Sequence, residues 1–218
     1  MIYAAYVDLA TLKTRLSISG TGFDTDLREI IEAASRDIDE HCKRHFYALS
    51  DTKYPDPEDT GLGHVVDQYS ERLTEYSNKL YVPDLLVVTS IKFDEDGDAT
   101  YEYPLAATDY ILYPYDGQKW PKTRVDLDLR QGDYSSFPIG QKAIEIVAMW
   151  GFGNGQSATP YEDSGTDTAE ELDASETAVD VASGAALKAL QAILVESEQM
   201  YITSITSNTA TVVRGVNG

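Results

Sequence analysis

Residues 79–93, KLYVPDLLVVTSIKF, mark the point where the chain changes period. Everything before residue 50 is patterned at three and four; this stretch is packed with Val, Ile, Leu, Tyr and Thr, the residues that suit a pleated, half-buried surface. Four further runs of the same character follow, each closed by turn residues: TYEYPL (100–105), DYILYPY (109–115), TRVDLDL (123–129) and KAIEIVAMWGF (142–152). Five short strands separated by Gly, Asp and Pro read as an antiparallel β unit over 80–152.

Upstream, Asp8 is placed to cap a short helix over 8–18, in which Leu9, Leu12 and Leu16 share one face. Gly20 and Gly22 end it. A longer helix is expected over 25–46, with Asp24 or Asp26 as cap, Asp26 and Glu29 spaced as a capping box, and Lys43 and Arg44 near the carbonyl end. Its apolar stripe is Leu27, Ile30, Ile31, Ala34, Ile38, Cys42 and Phe46. Residues 51–80 mix Pro, Gly and acid with few apolar positions and read as a long excursion with one or two strands.

After Gly151, Gly153 and Gly155 the chain becomes acidic, with no Lys or Arg between Lys142 and Lys188. We read 153–177 as a solvated linker. AVDV (178–181), AILVES (192–197), QMYITSIT (199–206) and TATVVRG (209–215) then form a small β module over 178–218, with Ser207 and Asn208 as its last hairpin turn. The expected class is α+β: N-terminal helices, an antiparallel β unit and a small C-terminal all-β module.

Lys and Arg number 17 against 37 Asp and Glu, a net charge of −20. Nucleic-acid binding runs on cations that displace condensed counterions, so specific DNA or RNA binding is not expected. The single cysteine, Cys42, leaves no intramolecular disulfide. No run of about 18 apolar residues suits a membrane span, and the N-terminus lacks the form of a signal peptide, so a soluble protein of a reducing cytoplasm is expected.

Chemistry is weakly signalled. His41 and His45 in HCKRH are four apart, a spacing that could place two imidazoles on one metal, but the set lacks further ligands and Cys42 points about 100° away around a helix. DEDGDATYEY (94–103) resembles a calcium loop through Asp94, Asp96 and Asp98, yet its Gly and Glu positions are wrong for one; Asp96-Gly97 as a hairpin turn fits better. GFGNG (151–155) is not followed by a helix that could offer its N-terminus to phosphate. His64 has no evident triad partners. No catalytic residue, cofactor or metal is assigned, and a non-enzyme is expected.

Taken in order and spacing, YVDLATLKTRLSI (6–18), LREIIEAASRDIDEHCKRHFY (27–47), KLYVPDLLVVTSIKFDEDGD (79–98), DYILYPYD (109–116) and IEIVAMWGFG (144–153) resemble the head-tail connector (adaptor) proteins of tailed phages. Cys42, Arg44 and Phe46 match the family's helix-end cluster, Val88–Ile91 its VTSI strand, Asp109–Pro114 its next strand and Trp150–Phe152 its closing strand. The segment ILVESEQMYITSI…TVVRGVNG looks like a β module found in phage structural proteins. The resemblance places a connector-like domain at 1–152, and implies a virion protein of the head-tail interface, made in the host cytoplasm.

The family implies a homo-oligomeric ring, typically of about twelve copies. Such a ring docks on the portal protein, receives a stopper, tail-terminator or other tail protein, and lets DNA pass through its lumen without specific binding. An acidic lumen agrees with that passage. It also implies a chain that continues beyond Gly218. Tyr54, Tyr69, Tyr76 and Tyr81 are the candidate subunit-contact residues, because Tyr buries area at low entropic cost. The rival readings are another neck component, a stopper or tail-completion protein, and a carbohydrate- or surface-binding accessory virion protein.

Overall fold

The computed structural model describes residues 5–57, 78–117, 119–138, 140–155, 157–159 and 161–216. Among these described residues it is α+β, with two α-helices and two antiparallel sheets. The chain divides into two units: residues 48–160 form one, and residues 1–47 together with 161–218 form the other.

The 48–160 unit is a sheet of β1 (Leu49–Lys53), β2 (Lys79–Phe93), β3 (Tyr103–Pro104), β4 (Tyr110–Tyr113), β5 (Lys122–Leu127) and β6 (Ile144–Trp150), in the order β1-β6-β2-β5-β4 with β3 paired to β2. The stretch 79–93 is its organising strand. It gives its first half to β5 and its second to β6. The register against β5 shifts between Tyr81 and Leu85. Pro83 lies in that interval, where a residue without an N–H leaves no ladder bond unmade.

Along β6, Ile144, Ile146, Ala148 and Trp150 are buried and the residues between them are not, the period-two signature of a sheet covered on one face. They pack with Leu80, Val82, Leu85, Ile91, Phe93, Val125 and Leu127. The segment after β5 closes over this face: Phe93 meets Phe137 and Tyr134 edge-on at 5.8 and 5.2 Å. That closure needs Gly132. A Cβ there would stand 2.8 Å from the Asp128 carbonyl oxygen and 2.9 Å from the Asp109 Cα.

The second unit packs α1 (Leu9–Leu16) and α2 (Asp24–Cys42) on a sheet of order β7-β10-β9-β8, where β7 is Ala178–Asp180, β8 Ala192–Val195, β9 Glu198–Thr206 and β10 Thr209–Val213. Successive residues of β9 serve opposite faces. Tyr201 joins Leu9, Leu27, Ile31, Leu190 and Val216, while Met200 and Ile202 join Val179, Val181, Ala210 and Val212.

The helices therefore belong with the terminal β module, which is not the grouping expected from a boundary at 152. The tie is nonlocal: the Tyr201 hydroxyl donates to Glu32 on α2 at 2.9 Å. Nor is all of 153–177 a free linker. Ala169 N–H donates to Asp180 O at 2.7 Å, Ala182 N–H to Asp167 O at 2.9 Å, and Leu172 packs under the module. An acidic stretch can still be ordered when its backbone pairs with a strand.

Helix boundaries differ in detail. Asp8 caps α1 as expected, accepting the Thr11 N–H at 2.8 Å. For α2 the cap is Phe23, with no side-chain bond, and the capping box does not form. Asp24 and Asp26 sit in its first turn, where carboxylates complement the dipole. The helix stops at Cys42, not 46. Lys43 turns left-handed (φ 52°) and the Arg44 N–H returns to Asp39 O at 3.2 Å. Only one flank of the expected stripe is core: Leu27 and Ile31 are buried, whereas Ile30, Ala34, Ile38 and Cys42 are exposed.

Candidate assembly surfaces

In the 48–160 unit, Asp94 and Lys122 are buried polar side chains bonded into the scaffold. Asp94 is buried and accepts the N–H groups of Gly97 at 2.7 Å and Ala99 at 3.0 Å. Gly97 has φ 79° and lies in the loop 94–102 between β2 and β3; the two-residue Asp96-Gly97 hairpin turn expected from the sequence is not formed, because the strands pair only from Phe93 and Tyr103 outward. The carboxylates of Asp94, Asp96 and Asp98 lie within 4.8 Å of one another, but both oxygens of Asp94 already hold this loop.

Lys122 is buried at the start of β5. Its ammonium donates to the carbonyls of Pro114 at 2.6 Å and Asp116 at 2.7 Å and lies 4.5 Å from the Trp120 ring centre. Burial pushes its pKa down, opposed by the Asp116 charge. The result is a cation that ties down the β4–β5 loop. Two residues further along β5, the Arg124 guanidinium pairs with Asp126 at 2.6 Å and 3.0 Å, near the rings of Tyr113 and Tyr81 at 4.4 and 5.9 Å. The Asp126 hydrogen bonds hold its pKa up.

Of the four Tyr residues named from the sequence, Tyr69 and Tyr76 lie outside the described residues. Tyr54 and Tyr81 are both exposed. Tyr81 carries the cross-strand contact with Arg124 just given. Tyr54 stands beside Tyr101 at 5.9 Å with the Lys142 ammonium 5.1 Å from its ring centre. These are two separate aromatic-cation patches, not one site. Sequence reading missed Tyr103 and Tyr115, which are exposed as well; both lie in strand-like runs, and alternation alone does not say which face stays open.

In the helical unit, Tyr6 is the anchor of a polar cluster. Its hydroxyl donates to Asp39 and accepts the Phe46 N–H at 3.0 Å, while its own N–H donates to Ser35 Oγ at 3.1 Å. Burial and the bond to Asp39 push its pKa up. Phe46 meets the Tyr6 ring edge-on at 5.6 Å, and Arg36 stacks over Tyr6 and Tyr47. His41 is the last-turn histidine of α2 and His45 lies beyond the helix end, stacked on Tyr47 at 4.7 Å. The helix therefore does not carry the two imidazoles on one face. Cys42 is exposed, not packed in a core. His64 lies outside the described residues.

Two unfilled surfaces belong to the same unit. One is the open apolar flank of α2, where Phe23 and Ile30 are 64% and 60% exposed. The other is a cleft of about 790 Å³ between α1, the start of α2 and the loop before β8. Its apolar lining includes Leu9, Ile18, Leu187 and Ile205; its charged lining is Lys13, Arg28, Lys188 and Asp24.

No family model, curated protein or solved structure matches this chain. Among the described residues no helix is long and apolar enough to cross a membrane.

Proposed function

We propose that this chain is a structural, non-enzymatic virion protein of a tailed phage, a head-tail connector that forms a ring below the portal, extends the DNA channel and docks the next neck or tail protein. Two things support the reading. The five quoted stretches occur in the family's order and spacing. The observation that carries most weight is physical: a chain of net charge −20 holds Phe23, Ile30 and Ile38 in open solvent along one helix. Large exposed apolar side chains in a row are a liability for a free monomer and an asset for a subunit.

Electron microscopy of particles assembled without the protein tests this. DNA-filled heads and free tails that fail to join are the expected result; intact infectious particles would sink the proposal. A second reading, a surface- or carbohydrate-binding accessory protein, draws on the Tyr54–Tyr101 pair with its adjacent Lys142. It predicts glycan binding by the purified chain and unimpaired head-tail joining in its absence.

A further inference from the structure

The two unfilled surfaces of the helical unit are opposite in charge. The exposed flank of α2 presents Ile30, Ala34 and Ile38, and its solvent-side neighbours Asp26, Glu29, Asp37 and Glu40 are all acidic and exposed. The cleft sets three cations against one carboxylate over an apolar floor, and that carboxylate, Asp24, is paired with Lys13 at 2.5 Å, leaving Arg28 and Lys188 as the surplus charge. Lys188 keeps capacity for a further partner. Its side chain is 54% exposed and reaches the buried Asp8 only at 3.4 Å.

The same two surfaces cannot satisfy each other within one molecule. Arg28 and Ile30 are two residues apart on α2 and so about 200° apart around its axis, nearly opposite sides of one rod. Two copies meeting flank to flank would oppose acid with acid, which disfavours a symmetric pair. Contact between unlike surfaces is what remains, and repeated contact of that kind generates rings or filaments.

We infer that the acid-flanked apolar face of α2 of one copy seats in the Lys13–Arg28–Lys188 cleft of the next, giving head-to-tail self-association. Closure of that contact into a ring rests on the connector reading above; the pairwise contact does not. Apolar burial supplies the affinity, and the Lys and Arg to Asp and Glu match sets polarity and register.

Sedimentation velocity of the full chain up to about 1 mM tests it, a concentration at which even a millimolar contact is half-formed. The face variant is Ile30→Glu/Ile38→Glu and the cleft variant Arg28→Ala/Lys188→Ala, with Lys188→Glu alone in reserve if the double variant fails to fold by circular dichroism. Wild type should associate, and each variant alone should weaken association about tenfold or more. An equimolar mixture of the two variants has one intact face and one intact cleft, so it should recover dimers and nothing larger. A wild type monomeric throughout, association untouched by both variants, or a mixture that recovers nothing overturns the inference. Rings built through another contact refute it while leaving the connector proposal standing; intact particles without the protein refute only the latter.

Discussion

Gly184 is the position at which one added carbon should do most damage. It opens the 3₁₀ turn Gly184–Ala186 before β8, and the turn joining β9 to β10 lies directly against it. A Cβ there would stand 2.0 Å from the Ser207 carbonyl oxygen and 3.1 Å from the Asn208 Cα. Both neighbours are backbone, so no rotamer change relieves the clash. The segments must part, which breaks the Gly184 N–H bond to Asn208 Oδ1 (3.1 Å) and strains the Val181 N–H bond to Asn208 O (2.9 Å).

Each buried bond left unmade costs about 1–3 kcal/mol. With loosened packing over Val179 and Val181, Gly184→Ala should lose about 3 kcal/mol or more, a large share of the roughly 5–15 kcal/mol that holds a domain together. Urea unfolding followed by far-UV circular dichroism measures it. Gly22→Ala is the control: nothing lies within 4 Å of a Cβ there, and the change should stay within about 0.5 kcal/mol. If Gly184→Ala matched that control, the tight approach of the two turns would be wrong.

Trp150 is fully buried and its indole N–H donates to Asp51 O at 2.9 Å, so Trp150→Phe should cost about 2–3 kcal/mol by urea unfolding, through one lost bond and a cavity beside β1. Tyr201→Phe removes only the hydroxyl bound to Glu32, and about 1 kcal/mol is expected; no loss at all would dissociate that bond from the docking of α2 on β9. Asp8 supplies a pH test. Burial pushes its carboxyl up, but the Thr11 hydrogen bonds and the Lys188 charge outweigh this and hold its pKa below the ordinary value. A carboxyl lowered on folding contributes stability that is complete above its unfolded pKa, near 4, and is lost as pH falls through the lower folded value. Asp8→Asn keeps a capping oxygen and loses the titration, so its thermal midpoint should fall less than that of wild type on acidification below about pH 4.

Much of the local structure is legible in the residues themselves. Asp8 caps α1, Ser207-Asn208 turns a hairpin, and the alternation of Ile144, Ile146, Ala148 and Trp150 declares a half-covered strand, because each depends on neighbours a few positions away. The candidate surfaces were less readable. A single stripe running from Leu27 to Ile38 looks uniformly apolar in sequence; which flank meets β9 and which stays open is set by where Tyr201, Leu190 and Val216 arrive from the other end of the chain.

The partition of the chain has the same origin. Composition shifts at 153 suggest a boundary there, yet the helices of 1–47 group with 161–218. The cations of the cleft illustrate why: Lys13 and Arg28 come from the first helices and Lys188 from a loop 160 residues beyond Arg28. Periodicity and turn chemistry determine which elements form, since those are short-range energies. Which faces pair, which remain bare and which charges converge are decided only when distant segments compete for the same apolar surface, and that competition leaves no short-range mark in the sequence.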